Sequence, residues 1–566
     1  MPVDYDAWRK SARKRPVLLA DCVGYDSGTP VTERFSTAVF RTGAGDTPAN
    51  AIYRARLADL DFDFEIDPVA CGFGSGAWGT LGVLNPDGKF DPLGDYDWGG
   101  SVTLKLGDES WDIADFQTVL EGGDVNLASS NDEVAEFEIL GRDAHLNTRT
   151  QTREVVKGEA KGEFVPLVLG YQRNVELVKL DDQVYGCIGP IQAFDTVYVA
   201  DEVKSSGFTA TLDDDGLAYL TFSSDPGGKV TADIQGLKVG GVYSDRIGAI
   251  CKALMTRTEP VEQGRARAGT GTTITLADNA SAEDDHYNGA SVTVTHEDNS
   301  QDTRTVTDYD GATRVATVNS AFSTTPVEGV FYEVAITHQA GPLESGDIDG
   351  DAFDALDTLY PYTAGVTAGS SGDNLLDLIE AVVAGAGIWV APARATGKIT
   401  CGRLAAPSGS PALGLTGRRT LGSLEPEFMP VYWQVIVEYQ RNGSINSSPE
   451  ATVTESRRAF LRHEYRQVTV SDPEILRSHP SAGTLRLVVP FDSPEAAEAA
   501  GEHALELHGV PRRRLVVETA LHPFFIDIAA VVEIADTRHG YDTPTLMRCV
   551  GFNDRFFDSD SLVLWG

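Results

Sequence analysis

Two short patterns in the sequence contain residue types that bind cofactors or metals. The first is Gly74–Gly79 (GSGAWG), which has the glycine spacing of a dinucleotide-binding loop. Such a loop needs a strand before it and a helix after it, whereas the segment that follows here, GTLGVLN, is typical of a strand. We therefore predict an ordinary loop at this position.

The second pattern is the acidic segment DIDGDAFD, which resembles the start of a calcium loop. Its aspartates are Asp347, Asp349, Asp351 and Asp354. The match then fails, because glycine is not at the sixth position of the loop and no glutamate stands at the twelfth. Acidic residues also stabilise the first turn of a helix, so we expect these aspartates to cap a helix at 351–359. Another acidic run, Asp213–Gly216, predicts a turn before the strand LAYLTF.

Histidine and cysteine spacing does not favour a metal site. His503 and His508 are five residues apart on a predicted helix, so they do not share one face as zinc ligands at i and i+4 would. We expect His503 to make a contact on the flank of that helix and His508 to be a cation at its end. The cysteines form no CxxC pair, and we predict buried, reduced thiols; they are Cys22, Cys71, Cys187, Cys251, Cys401 and Cys549.

Signatures of catalysis do not occur in the sequence. There is no GxSxG elbow, Walker A loop or HExxH motif. A pair of carboxylates like that of a glycosidase carries no information here, because 84 acidic residues produce many accidental neighbours. The tryptophans are separated rather than clustered into a platform for stacking sugars, so core and interface roles are expected. The sequence therefore predicts no catalytic, cofactor-binding or metal residue and no enzyme.

Length, composition and net charge indicate a large, acidic globular protein. A chain of 566 residues exceeds what one hydrophobic core usually serves, so several domains are expected. The formal net charge of −38 repels phosphate groups, so we do not expect this chain to bind nucleic acid specifically. That charge suits either plain solubility or a surface along which DNA passes without sticking. No apolar run is long enough to cross a bilayer, and the first residues lack the apolar core of a secretion signal, so folding is expected in a cytoplasm.

Strands dominate the predicted secondary structure. Short alternating or apolar runs separated by Gly, Pro, Asn and Asp predict them, as at Ser101–Leu106, Glu133–Leu140, Val431–Tyr439 and Thr484–Val489, with a turn at Asn85–Gly88. Four segments predict helices: Ser244–Met255 with Ser244 as N-cap, Asp351–Leu359, Asp373–Ala384, and Ser493–His508 with Gly509 after it. The fold class is therefore mainly β, a β-dominated α+β protein with several domains.

One segment differs in composition from the rest of the chain. Residues 265–337 are rich in Thr, Asp, Asn and Gly, and their Thr/Val strands with Asn-Gly and Asp-Gly turns predict a small antiparallel β module. Because it lies between two predicted helices, it reads as an insertion whose ends lie close together. We divide the chain into an N-terminal β hub domain (1–150), a second β-rich domain (151–260), the inserted module (261–340), an α+β connecting domain (341–425) and a C-terminal β-barrel-like domain with one helix (426–566).

Three stretches resemble a known family, the large tail-hub or baseplate-hub proteins of siphophages and gene transfer agents. Phe35–Gly107 contains TGAGDTPAN and then GTLGVLNPDGKFDPLGDYDWGGSVTLKLG, similar to the family's GPGDTPAN and strand-turn signatures. Val165–Gly236 is similar to the family's second strand-rich segment, and Ala496–Gly566 to its closing β unit. Together they cover 216 of the 566 residues, more than a third of the chain. The family usually has a basic residue in DGR, where this sequence has Trp98-Gly99-Gly100, which puts any contact of that residue in doubt.

The resemblance implies a structural role without cofactors. Such a subunit has tube-like β-barrel domains and forms a ring with copies of itself, a homotrimer by analogy, although the sequence leaves a hexamer open. The ring would lie at the tail tip of the virion, assembled in the cytoplasm of a host bacterium, between the distal tail protein and a central fibre or spike, and would line the DNA ejection channel. Two alternatives remain open: a receptor-binding or fibre-attachment tail protein, and a tail-associated glycan hydrolase.

Overall fold

The computed structural model describes residues 4–9, 11, 13–74, 79–416, 420–519, 522–556 and 559–566. Its described strands form seven sheets, the largest with sixteen strands, and the helices between them are short. The predicted mainly β class with several sheets and few helices is confirmed. In the described part of the chain, none of the helices combines the length and the apolar character needed to traverse a lipid bilayer.

The N-terminal region is a layered β structure. Its strands are β1 (Pro16–Asp26), β2 (Thr29–Ser36), β3 (Phe40–Arg41), β4 (Ile52–Ala55), β5 (Leu57–Glu65), β6 (Gly72–Phe73), β7 (Gly79–Leu84), β8 (Asp97–Asp108), β9 (Gln117–Ser130) and β10 (Val134–Leu140), after helix α1 (Tyr5–Arg9). The strand β10 shows why they form, since Ala135, Phe137 and Ile139 are buried and the glutamates between them are exposed. The predicted strands at 101–106 and 133–140 lie within β8 and β10.

The second region carries two sheets and the first helix that packs on them. Its elements are β11 (Leu167–Glu176), β12 (Val178–Asp181), β13 (Val184–Ile188), β14 (Ile191–Val199), β15 (Glu202–Val203), β16 (Phe208–Asp214), β17 (Leu217–Phe222), β18 (Val230–Val239), β19 (Val242–Tyr243), α2 (Ile247–Thr256) and β20 (Thr258–Glu259). The predicted turn at Asp213–Gly216 joins β16 to β17, and Asp215 and Gly216 both have positive φ there.

Helix α2 begins three residues later than the sequence predicted. Ser244 is not its N-cap; the Ser244 hydroxyl accepts a hydrogen bond from the Arg246 N–H in the turn before the helix. The first turn is capped instead from another helix, because Asp357 accepts a hydrogen bond from the Gly248 N–H at 2.6 Å. A residue 109 positions away thus supplies the acceptor that the local sequence does not.

The Thr-rich module (residues 261–340) forms its own antiparallel sheet around its own core. Its strands are β21 (Glu262–Arg265), β22 (Ala268–Gly269), β23 (Thr273–Thr275), β24 (Ser291–Thr295), β25 (Gln301–Asp310), β26 (Val315–Val318), β27 (Phe331–Val334) and β28 (His338–Gln339). The sheet order is β21-β27-β24-β25-β26-β23-β22. Tyr287, Tyr309 and Tyr332 lie in the module's core. Strand β28 pairs with β20, so the two ends of the module lie side by side.

The next region contains two helices that pack on neighbouring strands. Its elements are α3 (Gly350–Leu359), β29 (Gly365–Ala368), α4 (Leu375–Val383), β30 (Ile388–Pro392) and β31 (Ile399–Arg403). Both helices lie where the sequence predicts them. The Asn374 side chain caps α4 by accepting from the Leu376 N–H at 2.8 Å, and Leu378, Ile379 and Val382 of α4 are buried in the largest core of the described chain.

The C-terminal region returns to β structure. Its elements are β32 (Leu413–Thr416), β33 (Thr420–Leu421), β34 (Glu427–Phe428), β35 (Tyr432–Tyr439), α5 (Glu455–Leu461), β36 (Arg466–Ser471), α6 (Pro473–Ser478), β37 (Gly483–Val488), α7 (Pro494–His508), β38 (Arg513–Thr519), β39 (Val531–Ala535), β40 (Thr545–Asp554) and β41 (Asp560–Trp565). Helix α7 has the predicted cap, since Ser493 accepts from the Ala496 N–H. Helices α1, α5 and α6 form in addition to the four that the sequence predicts.

The N-terminal and C-terminal regions share one sheet. Strand β5 pairs antiparallel with β40, with Phe64 opposite Phe552, so the strand order runs β3-β4-β2-β1-β8-β9-β10-β7-β5-β40-β41-β38-β33. The strand β3 stands at one end of this order, and β33 and β34 pair with β38 at the other. Short 3-10 helices complete the structure at Asp91–Asp95, Ile113–Asp115, Arg142–Leu146, Ser345–Asp347 and Ala384–Ala386. The five-domain division and the closed barrels stay predictions.

Candidate functional site

The strand β20, which leads into the module and pairs with its last strand β28, is held in the rest of the chain (the body) through buried charge. Arg257 and Glu259 are 1% and 3% exposed, and their side chains meet at 3.2 Å between Nε and Oε1. Thr152 of the body donates its hydroxyl to Glu259 at 2.5 Å, and Arg257 donates to the backbone carbonyl of Thr150. Buried charges are tolerated only when they are paired and hydrogen-bonded. These contacts therefore fix the root of the module at one position.

A second set of polar contacts fixes the module's orientation. Arg153 of the body donates to Glu333 of β27 and to the Asp215 carbonyl, both at 2.6 Å. The Gln263 side-chain amide pairs with the backbone of Glu154 in both directions, accepting from its N–H at 2.6 Å and donating to its carbonyl at 3.0 Å. Since each contact is directional, the body and module meet in one defined geometry.

A cleft of about 520 Å³ lies beside this joint. Its walls come from the body segment 149–164, from β21 and the loop after β23 in the module, and from β28. The volume falls within the range of about 300–1,000 Å³ that small-molecule sites occupy. The cleft is the candidate functional site because it combines that volume with charged and hydrogen-bonding side chains from two parts of the chain.

Two guanidinium groups are held on aromatic rings in the cleft. The Arg149 guanidinium carbon lies 4.3 Å from the centre of the Phe164 ring, and that of Arg265 lies 4.1 Å from the centre of the Phe331 ring. Arg265 also pairs with Glu154 at 2.6 Å. Stacking on a ring restricts a flexible arginine and leaves its N–H groups directed outward. Both cations are therefore positioned in advance of any ligand.

Some polar groups in the cleft are already committed to the protein and others are not. The Tyr287 hydroxyl donates its one hydrogen to the Glu262 carboxylate, whose two oxygens lie 2.7 and 2.8 Å away, and burial together with this carboxylate raises the pKa of Tyr287. Within the described residues, the Arg149 side chain makes no ion pair, the Asn279 amide has no hydrogen-bond partner, and the buried Nδ1 of His338 has none either. The uncommitted groups are mainly donors, which suits an anionic, hydroxyl-bearing ligand.

The aspartates of DIDGDAFD do not converge on one point. Asp349 is the N-cap of α3 and accepts from the Ala352 N–H, and Asp351 lies in the first turn. Asp347 belongs to the preceding capping box and pairs with Arg142, while Asp354 pairs with Lys252. The interpretation as helix capping is confirmed for Asp349, and Asp351 lies in the first turn of the same helix. Among the described residues, no group of three His, Cys, Asp or Glu side chains is arranged to hold a metal ion.

The two histidines of α7 face different surroundings. His503 makes the predicted flank contact, with its Nε2 2.9 Å from the Leu404 carbonyl. The prediction of a cation at His508 is wrong, because burial lowers its pKa to about 4 and leaves the ring neutral near pH 7. His508 packs against Trp565 and Tyr432 instead.

The cysteines and the glycine-rich loop follow the sequence-based interpretation as far as they are described. All six cysteines are buried and free, as predicted. Burial raises the pKa of the Cys187 thiol to about 12, so it stays protonated. Residues 75–78 of GSGAWG lie outside the described residues, but strand β7 begins at Gly79, where a dinucleotide site would need a helix.

The residues of the cleft carry no signature in the sequence. Arg149, Arg265, Asn279 and His338 belong to no recognisable motif, and they come together only through the module's docking on the body. One available signal was the sequence Arg265-Ala266-Arg267 at the start of the module, which places basic residues in an otherwise acidic chain.

Comparisons with known proteins give matches among solved structures only. No protein-family model matches the chain, and no curated protein does. A 43 kDa tail protein of prophage MuSo2 from Shewanella oneidensis is 11% identical over 96% of this chain and 97% of its own, with a TM-score of 0.31. A chain from the virion of the native gene transfer agent particle is 12% identical over 75% and 91%, with a TM-score of 0.33. A tail protein from Neisseria meningitidis MC58 is 11% identical over 50% and 92%, with a TM-score of 0.24.

Proposed function

We propose that this chain is a structural hub subunit of a bacteriophage tail tip or baseplate. Three copies form a ring that joins the tail tube or distal tail protein to a central fibre or spike and surrounds the DNA ejection channel. The three stretches that resemble the tail-hub family support this assignment, and so does a mainly β fold with several sheets. The role is structural, located in the virion, and uses no cofactor.

One observation carries the proposal: the first and third family-like stretches meet edge to edge in a single sheet. They are hundreds of residues apart in sequence, yet β5 and β40 pair through Phe62–Glu65 and Gly551–Asp554. Such pairing covers the strand edges that isolated β units would leave open. Because this chain already joins two β units edge to edge, the strands at the ends of its large sheet can contact a neighbouring copy in the same way.

The ends of the large sheet have surfaces suited to that continuation. At the β3 end, Val39 and Ile52 are 74% and 55% exposed, and at the opposite end Leu421 and Phe428 are 44% and 72% exposed. Apolar side chains of this size at a strand edge favour contact with another protein surface. A head-to-tail contact between the two unlike ends repeats from copy to copy and closes into a ring when the rotation permits.

The net charge fits a channel wall. A charge of −38 repels the phosphate backbone, so DNA can pass close to the protein without binding it. The proposal therefore includes an acidic surface on the inner side of the ring.

Substitution of the sheet ends tests the proposal. The purified full-length chain should sediment as a trimer and appear as a ring with a central hole by electron microscopy. Val39→Asp and Phe428→Asp should each shift it to monomer, because a charge must then be buried in the interface. Val203→Asp is the matched control, since Val203 is 68% exposed in β15, which belongs to another sheet. A wild-type monomer at high concentration, or equal disruption by the control, contradicts the proposal.

A receptor-binding or fibre-attachment role is the second candidate, and the cleft beside the module favours it. Removing residues 261–337, which keeps β28 paired with β20, and closing the chain with a short turn separates the two functions, because these two strands already lie side by side. A hub without the module should still form the ring and a particle with a complete tail. A receptor-binding protein should lose adsorption to the host while its own folding is retained.

A further inference from the structure

The lining of the cleft beside the module carries no net formal charge, in contrast to the chain as a whole, because Arg149 and Arg265 offset Glu154 and Glu262. The protein carries −38 net charges, and most of its arginines are paired with carboxylates. Arg149 is one of the described arginines without a carboxylate partner, and its guanidinium lies on the Phe164 ring. An anion that reaches this cleft meets a local cation in an otherwise repulsive field, so the site selects for a ligand with specific contacts over a loosely bound ion.

We propose that this cleft binds an acidic saccharide, with the Arg149 guanidinium contacting the sugar carboxylate and the Asn279 and His338 side chains hydrogen-bonding the hydroxyls. A guanidinium presents two parallel N–H groups that match the two oxygens of a carboxylate. An amide offers both donors and an acceptor, and an imidazole offers one of each when neutral, which is the mixture that sugar hydroxyls require. The cleft of about 520 Å³ holds a short saccharide rather than a long chain.

The joint prepares the site for this ligand. Arg265 is held by both the Phe331 ring and Glu154, and Gln263 is held by the Glu154 backbone. These groups do not need to be ordered on binding, which lowers the entropic cost. The buried pair of Arg257 and Glu259 keeps the two walls of the cleft at a fixed separation.

The same contacts disfavour an acidic peptide. An extended peptide that adds to an open strand edge is recognised through backbone hydrogen bonds. In this cleft the backbone N–H and carbonyl of Glu154 are already occupied by the Gln263 amide, so recognition falls to side chains. An acidic peptide is therefore an outcome that the test must separate from a sugar.

Calorimetry with three probes tests the proposal on the full-length protein. Digalacturonate should bind one per chain at low salt, whereas the corresponding neutral galactose disaccharide and tetraglutamate should bind at least tenfold more weakly. Arg149→Gln should weaken digalacturonate binding tenfold or more. The matched control, Arg538→Gln, makes the same charge change at an exposed arginine in the C-terminal region and should alter affinity less than twofold.

A second variant guards against an indirect effect of the first. Asn279→Asp keeps the side-chain size and adds a negative charge to an exposed position in the cleft, so it should also weaken digalacturonate binding tenfold. Absence of digalacturonate binding, equal binding of the neutral disaccharide, tighter binding of tetraglutamate, or unchanged affinity in both variants would each overturn the proposal. Ring formation by the same variants is measured separately by sedimentation, so that failure of the hub role is distinguished from failure of saccharide binding.

Discussion

Two long-range joints hold this chain together, and they use different chemistry. Between the N-terminal and C-terminal regions, β5 and β40 pair through backbone hydrogen bonds, and Phe64 and Phe552 stack at 6.1 Å beside the pairing. Between the body and the module, the contacts are mainly side-chain ion pairs and hydrogen bonds, and the buried pair of Arg257 and Glu259 anchors the connecting strand β20 in the body.

Because the two joints use different contacts, we expect substitutions to affect their stability differently. A backbone ladder does not depend on any one side chain, so single changes at its flanks cost little unless they force the strands apart. A buried ion pair depends on both partners, since removal of one leaves an unsatisfied charge. The joint between β5 and β40 (the sheet joint) should therefore tolerate single substitutions, whereas the joint between the body and the module (the module joint) should be lost when one ion-pair partner is removed.

Of the substitutions that test the two joints, Glu259→Ala should lower the free energy of unfolding the most. In Glu259→Ala the buried Arg257 loses its carboxylate and Thr152 loses its acceptor, so we expect the free energy of unfolding to fall by about 3–5 kcal/mol. Urea unfolding measures it with two probes. Every tryptophan lies outside residues 258–339, so tryptophan fluorescence reports the body alone, whereas far-UV circular dichroism reports the strands of both parts. The circular dichroism signal should begin to change at a lower urea concentration than tryptophan fluorescence.

A paired replacement controls for loss of the carboxylate alone. Arg257→Met together with Glu259→Leu removes both charges and fills similar volume, so it should recover part of the lost stability. If Glu259→Ala costs less than about 1 kcal/mol, the module joint does not depend on its ion pair, and the contrast between the joints is lost.

Acid should weaken the sheet region through His508. Burial lowers the pKa of His508 to about 4 in the folded protein, below its ordinary value of 6.5. Between these two pH values the unfolded chain binds a proton that the folded chain does not. The contribution of His508 to the free energy of unfolding is therefore fully present above pH 6.5 and is lost as the pH falls toward 4. The loss attributable to this group is about 2–3 kcal/mol at pH 4.5.

Comparison with His508→Gln isolates this contribution from other titrating groups. The wild type should lose more unfolding free energy between pH 7 and pH 4.5 than His508→Gln does, as followed by tryptophan fluorescence, because Trp565 packs on the ring. His463→Asn, at an exposed position, should keep the wild-type pH dependence. Identical pH profiles for wild type and His508→Gln would show that this ring titrates alike in both states.

The helices show how much of the fold the sequence could predict. Helix α7 was predicted with its cap because Ser493, Pro494 and Gly509 are local signals. Helices α5 and α6 were missed because they are seven and six residues long and bury almost nothing, so no apolar periodicity marks them. The start of α2 was misplaced because its capping acceptor, Asp357, belongs to another helix.

The candidate site was beyond prediction for a related reason. Its residues are contributed by the body segment before residue 165 and by the module after residue 260. Composition located the module, and β28 pairing with β20 is the geometry that an insertion needs. However, the stacking of Arg149 on Phe164 depends on how the two parts dock, and no spacing in the sequence encodes that.

A methyl group at Gly551 should test the sheet joint directly. A Cβ atom there would lie 2.8 Å from the Phe64 carbonyl oxygen and 3.0 Å from the Glu65 Cβ, so Gly551→Ala must push β5 away from β40. We expect a loss of about 1–3 kcal/mol in urea unfolding followed by tryptophan fluorescence. Gly414→Ala is the control, because its Cβ would meet only a Glu533 carboxylate oxygen at 3.9 Å. Equal effects of the two substitutions would mean that β5–β40 pairing contributes little.

The smallest expected effect is at the ion pair that bridges the sheet joint. Arg514 of β38 donates to both carboxylate oxygens of Glu65 in β5, at 2.8 and 2.7 Å, but the side chains are 26% and 35% exposed. Since partly exposed pairs contribute little, Arg514→Gln should lower the free energy of unfolding by no more than about 1 kcal/mol, and 0.5 M salt should reduce the difference further. The backbone pairing of β5 with β40 remains in this variant, in contrast to the module joint after Glu259→Ala. A loss of about 3 kcal/mol for Arg514→Gln would instead place both joints in the same class, each dependent on one ion pair.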